Sequence, residues 1–369
     1  MSSSNPSFLI VGAGVFGVST AFHLIQKYPQ ASVTIVDRDA YDADSRVAAS
    51  WDWNKIVRAD YDDLVYCQMA IEAQDVFRSD PLWQPYFHET GIFWMCRNSY
   101  AQDVIGNYKK LGRKAEISAV SVEEAKKMHN GLFKDADFSG VTEVLINKTS
   151  GWAAAGDCLQ AVTRRAIELG VKYVKAEVDS LQFDGKGRCI GIGATSGQII
   201  MASRVILCTG AYTAKLLEYS AAKSGIAGLS AGSRIVAGGI TTGMATMDDK
   251  QFESYASMPV GFQGYPAHLS MPSNPDLSDW TPWLMYQKDP FLGSLPPTPD
   301  KELKWWGRTI FRNTTEVLPG RFTSAPPPAQ DYKQWKISRR LKDDIRQVKE
   351  IFFGTRGKDW KMDKYRICW

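Results

Sequence analysis

The sequence predicts a chain of class α/β plus α+β, in which a dinucleotide-binding domain of the Rossmann type joins a second, mainly antiparallel-sheet domain. Three observations predict it. The run from Phe8 to Gly17 ends an apolar stretch in three spaced glycines, and Asp37 follows twenty residues later. A second apolar run, from Arg204 to Ala211, ends in Thr-Gly-Ala. Residues 221–330 then change character and become rich in Gly, Pro, Ser and Trp, as strand-and-loop segments are.

Residues 8–11 read as a strand that turns abruptly into a helix. Gly12 permits the tight turn, Gly14 lets the backbone approach a pyrophosphate, and Gly17 lets the helix pack closely on the sheet. Val15 and Phe16 fall in the first helical turn, whose unpaired N–H groups and partial positive charge suit phosphates. Residues 33–37 read as the second strand, and the Asp37 carboxylate at its end can accept hydrogen bonds from ribose hydroxyls. The adjoining Arg38 joins the candidate cofactor contacts. A parallel sheet with an empty turn would carry the same pattern, and a nicotinamide-dependent dehydrogenase would use the same glycines.

Behind the glycines, Val18, Ala21, Phe22 and Ile25 recur at helical spacing. Residues 64–77 read as helix, 91–95 as a strand of a different sheet, and Ser121 to Glu124 as a capping-box start. A helix over 158–169 is closed by Gly170, and strands follow at 171–176 and 190–192 around the turn at 184–187. A helix starts near Thr213, and residues 272–282 and 295–299 read as irregular. Ile337, Leu341, Ile345, Val348 and Phe352 mark an amphipathic helix whose Lys and Arg residues face solvent. The expected division places residues 1–84, 150–218 and 359–369 in the nucleotide domain, and 85–149 and 219–358 in the substrate domain.

Composition narrows the class. At 369 residues with 44% hydrophobic and 23% charged, the chain has the make-up of a two-domain globular enzyme. A dispersed net charge of +4 argues against nucleic acid or an anionic membrane as partner. The high aromatic content suits a flat-ring or carbohydrate ligand and equally a large core. No segment approaches the ~20 apolar residues that span a bilayer, and the polar start leaves no room for a secretory signal. The six cysteines lack metal-ligand spacing, as expected of a reduced, intracellular protein. His23, His88, His129 and His268 form no metal or triad pattern, so no metal site is expected.

The stretch Ala48-Ala49-Ser50-Trp51-Asp52-Trp53-Asn54-Lys55-Ile56-Val57-Arg58 narrows the reading further. It resembles the flavin-contacting loop of the fructosyl-amine oxidase (amadoriase) and monomeric sarcosine oxidase family, within the D-amino-acid-oxidase superfamily. Gly151-Trp152-Ala153, the run from Thr209 and Gly210 to Thr213, Lys304, and Arg366-Ile367-Cys368-Trp369 match that family in order and approximate spacing. The resemblance implies bound FAD and oxidation of the C–N bond of an N-substituted amino acid or related secondary amine. The imine product hydrolyses, and O2 is reduced to H2O2. Amadori-type, N-methyl and biosynthetic amines are all admissible substrates.

By the same resemblance, Ser50, Lys55, Thr209 and Gly210 contact the cofactor, and Cys368 is joined to the flavin by a thioether. Arg366 and Lys364 stand near enough in sequence to favour its thiolate. Arg58 holds a substrate carboxylate with its planar fork, although pairing with Asp60 or Asp62 at the surface is its simplest alternative. Lys55 stabilises negative charge on the reduced ring or is an exposed lysine. Lys304, on a strand with alternating apolar neighbours, supplies a fixed cation for reducing O2 or is an ordinary strand lysine. Trp51 replaces a histidine or asparagine of some relatives and is expected on the substrate-facing surface.

Members of that family continue past this cysteine with a strand, a glycine-rich segment and a final helix. The expectation is therefore an incomplete flavin wall with an exposed sheet edge, in a partial chain or in a nucleotide-binding remnant without activity. A small-molecule amine and O2 are the expected partners, a monomer the expected state, and the cytoplasm or peroxisome the expected compartment. Residues 367–369 are not a peroxisomal address.

Overall fold

The glycines at the start of the chain have the geometry that a strand-to-helix turn requires. The computed structural model describes residues 5–43, 47–264, 291–328, 333–358 and 360–369. Gly12 has φ +101°, and a Cβ there would lie 2.4 Å from the Cys208 carbonyl oxygen. A Cβ on Gly17 would fall 1.8 Å from the Gly12 oxygen, so only glycine lets the helix close onto the turn. The strand Ser7–Val11 runs into the helix Val15–Lys27 through this turn. It pairs in parallel with Ser32–Asp37 on one side and Arg204–Leu207 on the other. Lys172–Lys175 completes the four-stranded parallel sheet beyond Asp37.

Helix Val15–Lys27 buries Val18, Ala21, Phe22 and Ile25, the predicted stripe, against Ala155–Glu168 and the sheet. The latter helix ends at Gly170, whose φ of +108° stops it as expected. On the opposite face, Thr213–Ser224 packs against Val178–Phe183 of a three-stranded antiparallel sheet. This layered arrangement is the expected α/β half.

The second half is built on an eight-stranded sheet. Its order is Met362–Cys368, Gly238–Thr246, Glu302–Arg312, Phe291–Leu295, Val260–Gly264, Ile92–Cys96, Glu143–Asn147 and Ile117–Val120. All neighbours are antiparallel except Val260–Gly264, which runs parallel to Ile92–Cys96. The mainly antiparallel character is as predicted. Opposed residues share a face, so Lys304, Trp306, Phe262, Trp94, Arg366 and Cys368 all project to one side. Leu303, Trp305 and Ala245 project to the other, where helix Arg339–Phe353 covers them with Ile345, Val348, Phe352 and Phe353.

Three features depart from the sequence expectation. The segment at the chain end, assigned above to the nucleotide domain, adds an edge strand to the eight-stranded sheet by pairing with Gly238–Thr246. Helix Leu64–Ser79 buries Cys67 and Ile71 in the same core as Ile92 and Trp94 and sets Phe77 against the core of the first half, so it packs on both. Lys349 of the amphipathic helix does not face solvent: it is buried, and its Nζ donates to the Trp360 carbonyl at 2.9 Å. Periodicity places a residue on a face but does not see a carbonyl waiting in the core. The irregular stretch at 272–282 and His268 lie outside the described residues.

Gly17→Ala is expected to cost about 3 kcal/mol or more, since its methyl group meets backbone that cannot yield. Chemical denaturation would reveal this as a lowered unfolding midpoint; an unchanged midpoint would contradict the close packing.

Candidate active site

The nucleotide turn is pre-formed by hydrogen bonds from its own loops. The Asp37 carboxylate accepts the Ala13 N–H at 2.6 Å and the Asp39 N–H at 3.0 Å, so it braces the glycine turn from the end of the second strand. Ser50 Oγ accepts the Val15 N–H at 3.0 Å, which fastens the Ser50 loop to the first helical turn. Gly14, the N-cap, has no side chain with which to close the helix end. Val15 and Phe16 are 50% and 78% exposed, unusual for large apolar groups beside a glycine turn. Arg38 lies over the Tyr212 ring at 5.3 Å, linking the second strand to the turn that begins at Thr209. Thr209 Oγ1 and Thr213 Oγ1 share a 2.8 Å hydrogen bond, and Gly210 has φ +53°.

A buried carboxylate that receives three cations lies where the two halves meet. Lys304 Nζ is 2.7 Å from Asp52 Oδ1 and also donates to the Asn54 carbonyl at 3.3 Å. Lys55 Nζ is 2.7 Å from Asp52 Oδ2. Arg366 stands 3.8 Å from the same carboxylate and donates to the carbonyls of Trp51 and Ala48. The Asp52 side chain is wholly buried, and that of Lys304 is 3% exposed. Burial works against the charged form of Asp52, yet Lys304, then Lys55 and Arg366, hold its carboxyl well below the usual carboxylate range. Burial brings Lys304 down to about 8, helped by the Lys55 charge and opposed by Asp52. Burial also opposes the Lys55 charge, but Asp52 and then Cys368 raise its pKa. Formally the group carries three positive charges against one negative.

Secondary structure explains the meeting. Asp52 precedes the short strand Lys55–Val57, and the Asp52 carbonyl accepts the Gly156 N–H at 2.8 Å. The loop is thereby tied to the start of helix Ala155–Glu168. Lys304 and Arg366 come from two strands that flank Gly238–Thr246, on the same face of the large sheet. Cys368, two residues beyond Arg366, places its Sγ 3.4 Å from Lys55 Nζ.

Arg58 lies three residues past Lys55 in an aromatic box. Its guanidinium carbon is 4.0 Å from the Tyr61 ring centroid, 5.0 Å from Trp94 and 5.7 Å from Phe262. One terminal nitrogen donates to the Asp60 carbonyl and, at 3.4 Å, to the Tyr100 hydroxyl. Among the described residues no carboxylate lies within ion-pair distance of it. The Asp60 carboxylate is instead held by Asn147 Nδ2 at 2.7 Å and Ser150 Oγ at 2.8 Å. Burial raises the Asp60 pKa, with Asn147, Arg58 and Ser150 opposing that shift. The expected surface pairing of Arg58 with Asp60 or Asp62 is thus absent among the described residues, and the fork keeps donor capacity for a ligand.

Lys304, Lys55 and Cys368 therefore converge, while Arg58 stands on the same short segment as Lys55. Trp51 packs in part against the nucleotide-domain core, and its carbonyl accepts from Arg366. One expectation needs correction. The cation next to the Cys368 sulfur is Lys55; Lys364 is engaged by Glu302 and Arg366 by the loop carbonyls. Asp52 was not assigned a role from sequence, although an acid three residues before a candidate lysine was a readable signal. Tyr61, Trp94, Tyr100 and Phe262 carried no signal: Phe262 meets Trp94 by cross-strand register, while Tyr61 comes from a loop and Tyr100 from the start of helix Tyr100–Lys110. Among the described residues no cluster of His, Cys, Asp and Glu could hold a metal, and no helix is long and apolar enough to cross a membrane.

Fold and site together define a two-part protein with a pre-formed dinucleotide turn and a cationic centre at the junction of its halves. The pattern of the FAD dependent oxidoreductase family matches residues 7–231, more than half of the chain, and the chain belongs to that family. It is 28% identical over 272 residues to an L-saccharopine oxidase of Schizosaccharomyces pombe, covering 69% of this chain and 60% of that protein. Over 257 residues it is 23% identical to the amino acid oxidase imqH of Aspergillus flavus, covering 57% of this chain and 53% of the other. The chain thus spans little more than half the length of these curated relatives. Amadoriase II, a fructosamine oxidase from Aspergillus fumigatus, superposes with a TM-score of 0.73 at 22% identity, over 99% of this chain and 75% of that one. Amadoriase I from the same fungus gives 0.71 at 21% identity, over 100% and 77%. At these identities the structural likeness establishes the fold.

Asp52→Asn removes the counter-charge and leaves three cations facing one another. A loss of about 3–5 kcal/mol is expected, the range for breaking a buried ion pair from one side. Denaturant unfolding measures it, and a change below ~1 kcal/mol would contradict the buried ion cluster.

Proposed function

We propose that this chain binds FAD and oxidises the C–N bond of an N-substituted amino acid, with O2 as the electron acceptor. The observation that carries the reading is the cationic centre of Lys304, Lys55 and Arg366 around Asp52, adjoining the box of Arg58. The residues present fit the cofactor on their own chemistry. At the helix start Gly14 brings no side chain of its own, and a Cβ there would lie 3.3 Å from Ser50 Oγ, so the backbone stays open to a close ligand. Asp37, Arg38, Thr209 and Gly210 stand around that turn, and the surplus positive charge suits an electron-accepting ring. When bound, FAD would accept a hydride from the carbon beside the amine nitrogen and return the electrons to O2.

The chain's own residues do the rest. Arg58 binds the substrate carboxylate through its free edge, with Tyr61, Trp94 and Phe262 fixing the guanidinium plane. Lys304 presents a positive charge held in place by Asp52, so charge developing on reduced oxygen meets a pre-oriented partner. Cys368, on the same sheet face, is the sulfur for a thioether to the flavin. Secondary amines such as saccharopine-type, Amadori-type and N-methyl amino acids form the substrate set.

The test is peroxide production by FAD-loaded protein with a panel of these amines. Peroxide formed with at least one of them supports the reading; none with any of them, despite bound flavin, overturns it. Lys304→Met is expected to slow reoxidation by O2 about 100-fold, as loss of one pre-oriented charge does. Arg58→Met is expected to raise KM about 10- to 100-fold with a smaller effect on kcat. Because the Lys304 charge is lost as pH rises through about 8, reoxidation is expected to fall above that value. A rate independent of pH from 7 to 9.5 would remove Lys304 from the role.

A further inference from the structure

Six cysteines stand free in this chain, and their surroundings differ sharply. Cys67, Cys96 and Cys158 are buried, and burial pushes Cys96 and Cys158 up to about 12. Burial also raises Cys67, Cys189 and Cys208. Cys96 and Cys189 donate to backbone carbonyls, of Trp94 and Gly191. Cys368 likewise donates to a carbonyl, that of Ala49 at 3.9 Å, and differs from the other five in a second contact. Its Sγ is a hydrogen-bond partner of a lysine ammonium, Lys55 Nζ, at 3.4 Å. It is half-buried at the end of an edge strand, and the Lys55 side chain is 38% exposed, so a small oxidant reaches both. The contact sets an amine nitrogen directly against the sulfur, and a thiol that ionises attacks the peroxide O–O bond as thiolate.

We propose that Cys368 and Lys55 form a reversible oxidative cross-link, a sulfenamide, in the chain while Cys368 carries no flavin. Hydrogen peroxide is the oxidant. In the first step, Cys368–SH and H2O2 give Cys368–SOH and water, the sulfur losing two electrons and peroxide gaining them. In the second, the Lys55 amine, having lost its extra proton to solvent, attacks Sγ. An S–N bond forms, the S–O bond breaks, and a second water leaves. A nitrogen already in contact with the sulfur competes with the slower over-oxidation by a second peroxide. Dithiol reverses the link: two thiols become a disulfide while the thiol of Cys368 and the amine of Lys55 are restored. The link consumes the sulfur available for a thioether and withdraws one of the three cations from Asp52. Peroxide would thereby mark and disable protein that lacks its cofactor.

The test uses the flavin-free full chain and needs no enzymatic activity, so it stands apart from the proposed oxidation. The chain is treated with a modest excess of H2O2, digested, and examined by mass spectrometry. The expected product joins the Lys55 and Cys368 peptides at a mass two hydrogens below their sum, and dithiothreitol returns both. Cys189 and Cys208 stay unmodified at the same dose. Lys55→Arg abolishes the link and leaves Cys368 sulfenic acid that dimedone traps. The proposal is overturned if Cys368 of the unaltered protein is recovered only as free thiol, sulfinic or sulfonic acid. It is likewise overturned if Cys189 and Cys208 oxidise as fast as Cys368.

Discussion

The Asp52 carboxylate joins the two halves of this protein by charge. It belongs to a loop fastened to the nucleotide side through the Gly156 N–H and Ser50 Oγ, and to the large sheet through the Arg366 contacts to Trp51 and Ala48. Its three cations come from its own loop and from two strands of the large sheet. A buried carboxylate with one cation would roughly balance desolvation against attraction. With three, the group carries net positive charge in a low-dielectric setting, and any mismatch in placement is costly. The interaction is therefore as much a constraint on geometry as a source of stability. It fixes the depth at which Lys304 sits, the angle at which Lys55 leaves its strand, and the distance between Lys55 and Cys368.

The large sheet contributes through alternation. One face holds Lys304, Trp306, Phe262, Trp94, Arg366 and Cys368, and the other packs on helix Arg339–Phe353. A sheet covered on one face by a helix offers a rigid platform on the other, so Lys304 and Arg366 ride on strands and not on loops. Arg58 extends this platform: stacked on Tyr61 and bounded by Trp94 and Phe262, it is oriented by ring planes as well as by hydrogen bonds. The guanidinium thus has little freedom to turn away from a ligand.

Much of this was legible in the order of residues. Gly12, Gly14, Gly17 and Asp37 spelled out the nucleotide turn: at Gly12 and Gly17 a Cβ would strike backbone, and the Asp37 carboxylate accepts the Ala13 N–H inside the turn. The Lys304 strand and the amphipathic helix followed from periodicity, which reports local faces. What periodicity cannot report is pairing between distant segments. That Met362–Cys368 would join Gly238–Thr246 depended on register across more than a hundred residues, and so did the gathering of Asp52 with Lys304. Trp51 also packs in part against the nucleotide-domain core, a long-range contact that its place in a motif does not report. Buried Lys349, capped by a backbone carbonyl, was hidden for the same reason.

The central claim is that the cationic centre lies against the electron-accepting ring of a bound flavin. Positive charge there stabilises the reduced, anionic ring relative to the oxidised one. The most direct measurement is the two-electron midpoint potential of FAD bound to the protein, set against that of free FAD and that of Lys304→Met. The account predicts a potential above that of free FAD, falling when Lys304 loses its charge. A bound flavin with the potential of free FAD, unmoved by the substitution, would contradict it.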